Sequence, residues 1–317
     1  MTGVIFTGGT IGSSEKENYI GTEKNKAYHL INMYERKYGK EDFITDCPFE
    51  ILSENMTCGE YPVLVDYIKK MLSNKVDGII LTHGSDTIQY TAALLSYVLK
   101  PEIPVMIVCS NYVLEDEKAN GFDNFCAAVD FIKNKRGKGI FVPYKGADGI
   151  TRIFYGNNLL KHDTYSDELR ALCDAYYGYY LCGEFIKSDK ENPCAINKRY
   201  ELPKKVRPMS DILVINPYPG MKYPDVTGYK AVLHTTFHSG TLCTKSDDLY
   251  RFAENAQKCS IPVYLIGTAD GREYESCKEY KKLKFKELPY ITEISAYIVV
   301  WLENNWNVSK KIEKYST

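Results

Sequence analysis

The stretch Asp77–Leu99, DGIILTHGSDTIQYTAALLSYVL, constrains this 317-residue chain more than any other. It opens with Gly78-Ile79-Ile80-Leu81, an apolar run whose length and β-branched content predict a strand buried on both faces. From Thr87 onward Ile88, Ala92, Leu95 and Val98 recur at helical spacing, and no Gly or Pro interrupts them before Pro101, so a helix follows. Between the two lies Thr82-His83-Gly84-Ser85-Asp86-Thr87, a turn rich in hydroxyls with one carboxylate. In α/β folds such a turn faces a ligand crevice, because strand ends open onto it and the helix's first N–H groups point into it with partial positive charge. Ser and Asp are also ordinary helix caps, and the turn alone fits that role equally well.

A second strand-to-turn unit stands at the start. Val4-Ile5-Phe6 is apolar, and Thr7-Gly8-Gly9-Thr10-Ile11-Gly12 follows it as a glycine-rich turn. Two such units in one parallel sheet can aim Thr10 and Ser85 at a common point. TGGTIG after an N-terminal strand, with THGSDT before a helix 75 residues later, resembles the paired signatures of the L-asparaginase family, usually TGGTI and HGTDT. The continuation DTIQYTAALLSYVL is most similar to the cytoplasmic type I branch. The resemblance implies a larger N-terminal α/β domain with a mainly parallel sheet flanked by helices, and a smaller C-terminal α/β domain.

A length of 317 residues is compatible with two α/β domains or one large one. A formal net charge of −1 argues against nucleic acid as a partner, since such binders usually carry a basic face. The ten cysteines contain no CxxC pair, and several sit in apolar runs, such as Cys109 in PVMIVCS. They read as small buried hydrophobes in a reducing compartment, not as disulfides or zinc ligands. His234 and His238 share a helical spacing, but they follow the strand-like Lys230–Leu233 run, which argues against a metal site. No cofactor is expected, because the Gly8-Gly9 turn matches neither GxGxxG nor GxxxxGK[ST]. The start MTGVIFTGG lacks the basic and long apolar regions of a secretory signal, and no apolar run reaches transmembrane length. The expected location is the cytoplasm, with no membrane partner.

In chain order, Ser13–Gly21 reads as a polar loop. The resemblance implies a lid here whose tyrosine closes beside Thr10, and Tyr19 is the matching residue. The competing reading of Tyr19 is an aromatic that pins a surface loop. Periodicity predicts helices over Glu23–Tyr38 and Tyr61–Leu72, with a strand at Phe49–Leu52 between them. That strand ends in Ser53-Glu54-Asn55-Met56, similar to the family's Ser-x-x-Met segment, which implies that Ser53 and Glu54 hold a substrate's α-carboxylate and α-amino group. Ser53 as a plain cap is the competing account. Strands are predicted at Ile103–Cys109 and Gly139–Val142, with a helix at Asp123–Lys133 between them. Where relatives carry Gly-Ser or Gly-Ala ahead of a proline pair, this chain has Cys109-Ser110-Asn111-Tyr112-Val113. In the family the backbone here touches the substrate amide, so Ser110 is the binding candidate, and the bulkier neighbours leave the identity of the amide open. Tyr155-Gly156-Asn157 precedes Lys161, which matches the family lysine that pairs with the hydroxyl and carboxylate of the HGTDT motif; a solvated loop lysine is the alternative.

The tyrosine cluster Tyr176-Tyr177-Gly178-Tyr179-Tyr180 reads as edge packing or a subunit contact. Residues 188–208 are charged and Pro-bearing, a candidate linker between a 1–187 catalytic domain and a 209–317 domain. The latter alternates strand-like 211–216, 231–233 and 263–266 with helical 245–257 and 292–304. Relatives draw an acidic residue from this domain; Glu273, Glu275 and Glu279 lie in range and none is singled out. Phe237–Thr241 departs from the family's loop, and no role is carried onto it.

Taken together, Thr10, Tyr19, Ser85, Asp86 and Lys161 supply what amide hydrolysis requires: a nucleophile, proton acceptors, and donors for an oxyanion. The resemblance implies L-asparagine hydrolysis with Thr10 attacking, Ser85 and Lys161 moving protons, and Asp86 also receiving the substrate ammonium. It further implies a homodimer or homotetramer. Glutamine or another small amide is the enzymatic alternative, since one methylene is worth only ~1–3 kcal/mol. An amino-acid-binding sensor without turnover is the non-enzymatic one.

Overall fold

The structure is a computed structural model that describes residues 1–16, 19–22, 27–194, 198–268 and 274–313. The chain divides into two compact units, Met1–Arg199 and Tyr200–Thr317.

In the first unit the strands are β1 (Thr2–Ile5), β2 (Ser13–Lys16), β3 (Tyr19–Thr22), β4 (Phe43–Asp46), β5 (Gly78–Thr82), β6 (Pro104–Val108), β7 (Gly139–Lys145), β8 (Thr151–Tyr155), β9 (Gly178–Leu181) and β10 (Glu184–Lys187). The helices are α1 (Ala27–Tyr38), α2 (Glu60–Ser73), α3 (Ile88–Val98) and α4 (Gly121–Lys133). Eight strands form one sheet in the order β10-β9-β8-β7-β6-β5-β1-β4. The five from β4 to β7 run parallel, and β8, β9 and β10 continue antiparallel.

The apolar runs of β1, β5 and β6 follow from burial on both faces. Val4, Ile80, Met106 and Val108 face α1 and α4, packing with Leu30, Tyr34, Phe125 and Ile132. Their neighbours Ile5, Ile79, Leu81, Val105 and Ile107 are equally buried on the other face. There α2 lies so close to β1 that a Cβ on Gly3 would come within 2.7 Å of Met71 Cγ. Each such side chain contributes roughly 1.5–3 kcal/mol of burial.

Several expectations are revised. The strand between α1 and α2 is Phe43–Asp46, paired with β1, and not Phe49–Leu52, of which only Ile51 forms a bridge, to Gly8. Residues 13–16 and 19–22 form an antiparallel hairpin instead of a loop, and β3 returns alongside the turn that contains Thr10. The tyrosine cluster keeps one of its two readings, edge packing, and builds the β9–β10 hairpin at the sheet edge against α4: Tyr177 Oη donates to the Arg136 carbonyl (2.6 Å), Tyr180 Oη donates to Asp130 Oδ2 (2.6 Å), and Phe185 stacks edge-on to Phe131. The first part of the 188–208 segment belongs to this unit. Asn192 Nδ2 donates to Asn157 Oδ1 (2.8 Å), and Arg199 donates to the Leu99 carbonyl just past the end of α3 (2.6 Å).

The second unit is a parallel sheet of β11 (Ile212–Ile215), β12 (Ala231–Thr235), β13 (Val263–Ile266) and β14 (Lys286–Glu287), with α5 (Asp247–Lys258), α6 (Cys277–Lys282) and α7 (Glu293–Glu313). Its own core joins Val232, Leu249, Phe252, Leu265 and Tyr280. No helix among the described residues is long and apolar enough to cross a membrane.

Candidate functional site

Strand order fixes where a crevice opens. From β1 the chain moves to β4 on one side, and from β5 it moves to β6 on the other, so the connections diverge at the carboxyl ends of β1 and β5. That divergence is where ligands bind in open α/β sheets. The turns after β4, β1, β5 and β6, which carry Ser53, Thr10, Ser85 and Ser110, all leave the same edge of the sheet.

The β1 and β5 turns are locked together by the threonine that opens each motif. Thr7 Oγ1 donates to the Thr82 carbonyl (2.5 Å), and Thr82 Oγ1 accepts from Thr7 N (3.3 Å). Gly9, at φ +78°, then lies against Gly84: a Cβ on Gly9 would sit 2.4 Å from Gly84 N. Glycine is required there on both counts, conformation and space. Thr10 and Ser85 are thus each one residue from a backbone-to-backbone contact. A Cβ on Gly84 would in turn fall 2.4 Å from Ser53 Oγ, which brings the third turn to the same place. Ile51 N donates to the Thr7 carbonyl and Gly9 N to the Ile51 carbonyl, both at 3.0 Å, holding that turn beside β1.

Ser53 is 4% exposed, and its Oγ has no hydrogen-bond partner among the described residues. Its carbonyl accepts from Thr87 Oγ1 (2.9 Å), so the residue is fixed by its backbone while its hydroxyl is left over. A buried hydroxyl without a protein partner is open to an ordered water or a ligand. The plain-cap reading of Ser53 fails, since no cap bond is made. Glu54, beside it, is exposed.

Ser85 is half-buried and Asp86 exposed. The negative charge of Asp86 reaches Cys109, whose thiol is pushed up to about 12, by burial first and by that charge second. Cys109 is therefore a neutral thiol at neutral pH and no thiolate nucleophile. Ser110 is fully buried. Its Oγ donates to the Tyr112 carbonyl (2.6 Å) and accepts from Gly121 N (3.1 Å) at the start of α4, so its side chain has a structural use within the turn. Asn111 and Tyr112, which follow it in the turn, are half-buried.

Lys161 is exposed and, among the described residues, makes no hydrogen bond or ion pair with Ser85 or Asp86. It opens a loop closed by Leu160 N donating to the Arg170 carbonyl (2.9 Å). Asp167 of that loop accepts at its carbonyl from Tyr144 Oη (2.5 Å), near the carboxyl end of β7, and so draws the loop to the crevice edge of the sheet. Tyr19 lies in β3, and its side chain is outside the described residues.

The pattern of the sequence alone assigned no role to the motif histidine. His83 is 2% exposed; its Nδ1–H donates to the Gly84 carbonyl (2.8 Å), and Nε2 accepts from Thr91 Oγ1 (2.8 Å) on α3. Burial lowers its pKa to about 4, against a smaller opposing effect from Gly84, so it is a neutral strut and not a general base at pH 7. Its place before Gly84 in the motif was the only signal for it. His234, on β12, is likewise structural: Nδ1–H donates to the Thr235 carbonyl (2.5 Å), and Tyr223 Oη donates to Nε2 (3.0 Å). Among the second-unit acids, Glu279 accepts from Tyr250 Oη (3.0 Å) and Lys282 (2.7 Å), Glu275 is exposed, and Glu273 is outside the described residues.

Comparison with known proteins bears on these features. Solved structures of similar fold include L-asparaginase I from Vibrio cholerae (TM-score 0.78, 18% identity, 99% of this chain and 95% of that one). The thermostable L-asparaginase from Thermococcus kodakarensis is another (TM-score 0.77, 20% identity, 96% and 92%). A curated relative from Methanococcus vannielii, named as a subunit of glutamyl-tRNA(Gln) amidotransferase, is 28% identical over 211 residues, covering 60% of this chain and 49% of the relative. The protein of the same name from Methanobrevibacter smithii is 32% identical over 177 residues, covering 53% and 39%. The chain spans about half the length, or less, of these curated relatives. A family model described as Asparaginase, N-terminal, matches residues 3–179, which contain every turn assembled above, and the chain belongs to the asparaginase family, whose fold supports amidohydrolase activity.

Proposed function

We propose that this chain hydrolyses the side-chain amide of L-asparagine to L-aspartate and ammonia, with Thr10 as nucleophile. The observation that carries the reading is the Gly9–Gly84 contact, which brings the Thr10 and Ser85 turns together at the divergence point of the sheet. Thr10 Oγ1 attacks the amide carbon, and the tetrahedral oxyanion collapses with loss of ammonia to leave an ester on Thr10. Water then attacks that ester and frees the acid and the threonine hydroxyl. The hydroxyl needs a base to take its proton and an acid to protonate the leaving nitrogen. Tyr19 beside Thr10, and Lys161 with Ser85, supply these roles. The Ser53 hydroxyl, without a partner among the described residues, suits the substrate carboxylate, and the Asp86 carboxylate, aided by Glu54, suits its ammonium.

Glutamine is the second reading, favoured by the amidotransferase names of the curated relatives, since an amidotransferase draws its nitrogen from an amide. Ammonia release from asparagine, glutamine and simple amides separates the two. The highest kcat/KM on asparagine supports the first, and preference for glutamine the second. Binding of these amino acids without ammonia release would overturn both in favour of a sensor.

A further inference from the structure

Tyr112 stands in the turn where this chain departs from its family's usual residues, and the structure gives it a partner in the loop of Lys161. Tyr112 Oη donates to Asp167 Oδ2 (3.1 Å) across 55 residues of sequence. The donor is held firmly. Tyr112 N donates to Asn111 Oδ1 (3.0 Å), which also accepts from Asn120 N, and Asn111 N donates back to Asn120 Oδ1 (3.0 Å). Ser110 Oγ donates to the Tyr112 carbonyl (2.6 Å). The turn is therefore a rigid platform, next to the Cys109 thiol that feels the charge of Asp86.

On the other side, the acceptor sits in the far half of the Lys161 loop. The Asp167 carbonyl takes the Tyr144 hydroxyl, and Glu168 Oε1 accepts from Ala147 N (2.6 Å). The base of the loop is pinned at Leu160 and Arg170. Tyr112 is the tie between this loop and the β6–α4 turn, the element that follows the Ser85-Asp86 turn along the edge of the sheet. The bond joins a neutral phenol to a carboxylate and is therefore charge-assisted, at an exposed position. Its hold also raises the Tyr112 pKa, chiefly through the bond to Asp167.

We infer that Tyr112 and Asp167 are a positioning pair, which fixes the Lys161 loop against the β6–α4 turn and so sets the reach of the Lys161 amine toward the crevice. Neither residue is catalytic. The inference rests on the role of Lys161 stated under the proposed function, and its test separates the two.

Tyr112→Phe, Asp167→Ala and the double variant are compared with the wild type on the amide the protein turns over best. Each single variant should lower kcat about tenfold, the scale of one charge-assisted bond, with KM changed less than twofold. The double variant should be no worse than the poorer single one, because both remove one contact. Amide hydrogen exchange over residues 161–169 should quicken in Tyr112→Phe, a readout that does not depend on turnover. Unchanged exchange there overturns the tie itself. Faster exchange with unaltered kcat, or with a loss confined to KM, overturns its role in positioning Lys161. Faster exchange in a chain with no amidase activity keeps the tie and refutes the reading of the site.

Discussion

A hydroxyl buried without a partner is a cost the folded chain carries, and Ser53, beside Gly84, carries one among the described residues. Leaving such a group unmet is worth roughly 1–3 kcal/mol against folding. Its backbone is meanwhile well used, by Thr87 Oγ1 and by Met56 N. Ser53→Ala should therefore leave the melting temperature unchanged or raise it, while raising KM for the substrate with little change in kcat, because it removes binding common to ground and transition states. A marked drop in melting temperature would show the hydroxyl to be structural. Lys161 presents the opposite case, an exposed cation with no hydrogen bond or ion pair among the described residues.

At the scale of elements, the site depends on how closely three turns approach. Gly9→Ala would drive a Cβ into the backbone of Gly84 and strain a φ of +78°, with no flexible side chain to yield. A loss of at least ~2 kcal/mol is expected, read from urea unfolding. A variant as stable as the wild type would mean that the turns are not in contact. The elements around these turns were legible because β1, β5 and β6 are buried on both faces and read as apolar runs, and because α2, α3 and α4 keep helical spacing without breaks. Elements without a deep core were not legible. The edge strand β4, FITD, is half-buried throughout and carries no alternation, so the more apolar Phe49–Leu52 drew the assignment. The β9–β10 hairpin is set by Tyr177, Tyr180 and Phe185 reaching α4, a tertiary cause with no local periodicity. Within the site, the turns that carry Thr10 and Ser85 could be read because each comes a few residues after a buried apolar strand. The surroundings of Lys161 could not, because its loop is placed by Tyr112 and Tyr144, distant in sequence.

Across the whole molecule, each unit holds one buried neutral histidine, His83 in the first and His234 in the second, and burial lowers both to about 4 from 6.5. Between those values the unfolded chain binds protons that the folded chain refuses, so stability falls as pH drops from about 6.5 to about 4 and is insensitive to these groups above that window. The loss amounts to at most ~3 kcal/mol for each histidine. Urea midpoints at pH 7 and pH 4.5 should differ accordingly, and equal midpoints would mean that neither imidazole is buried neutral. The chain spans about half the length, or less, of its amidotransferase-named relatives, while it covers nearly the whole of the solved asparaginases it resembles in fold. What both groups leave to experiment is whether the crevice between β1 and β5 opens an amide with Thr10. The direct measurement is ammonia release from L-asparagine by the wild type and by Thr10→Ala, with the fold of the variant checked by circular dichroism. Turnover lower by roughly 10²–10⁴-fold or more is predicted for a folded variant, and release near the wild-type rate would contradict a threonine nucleophile at this crevice.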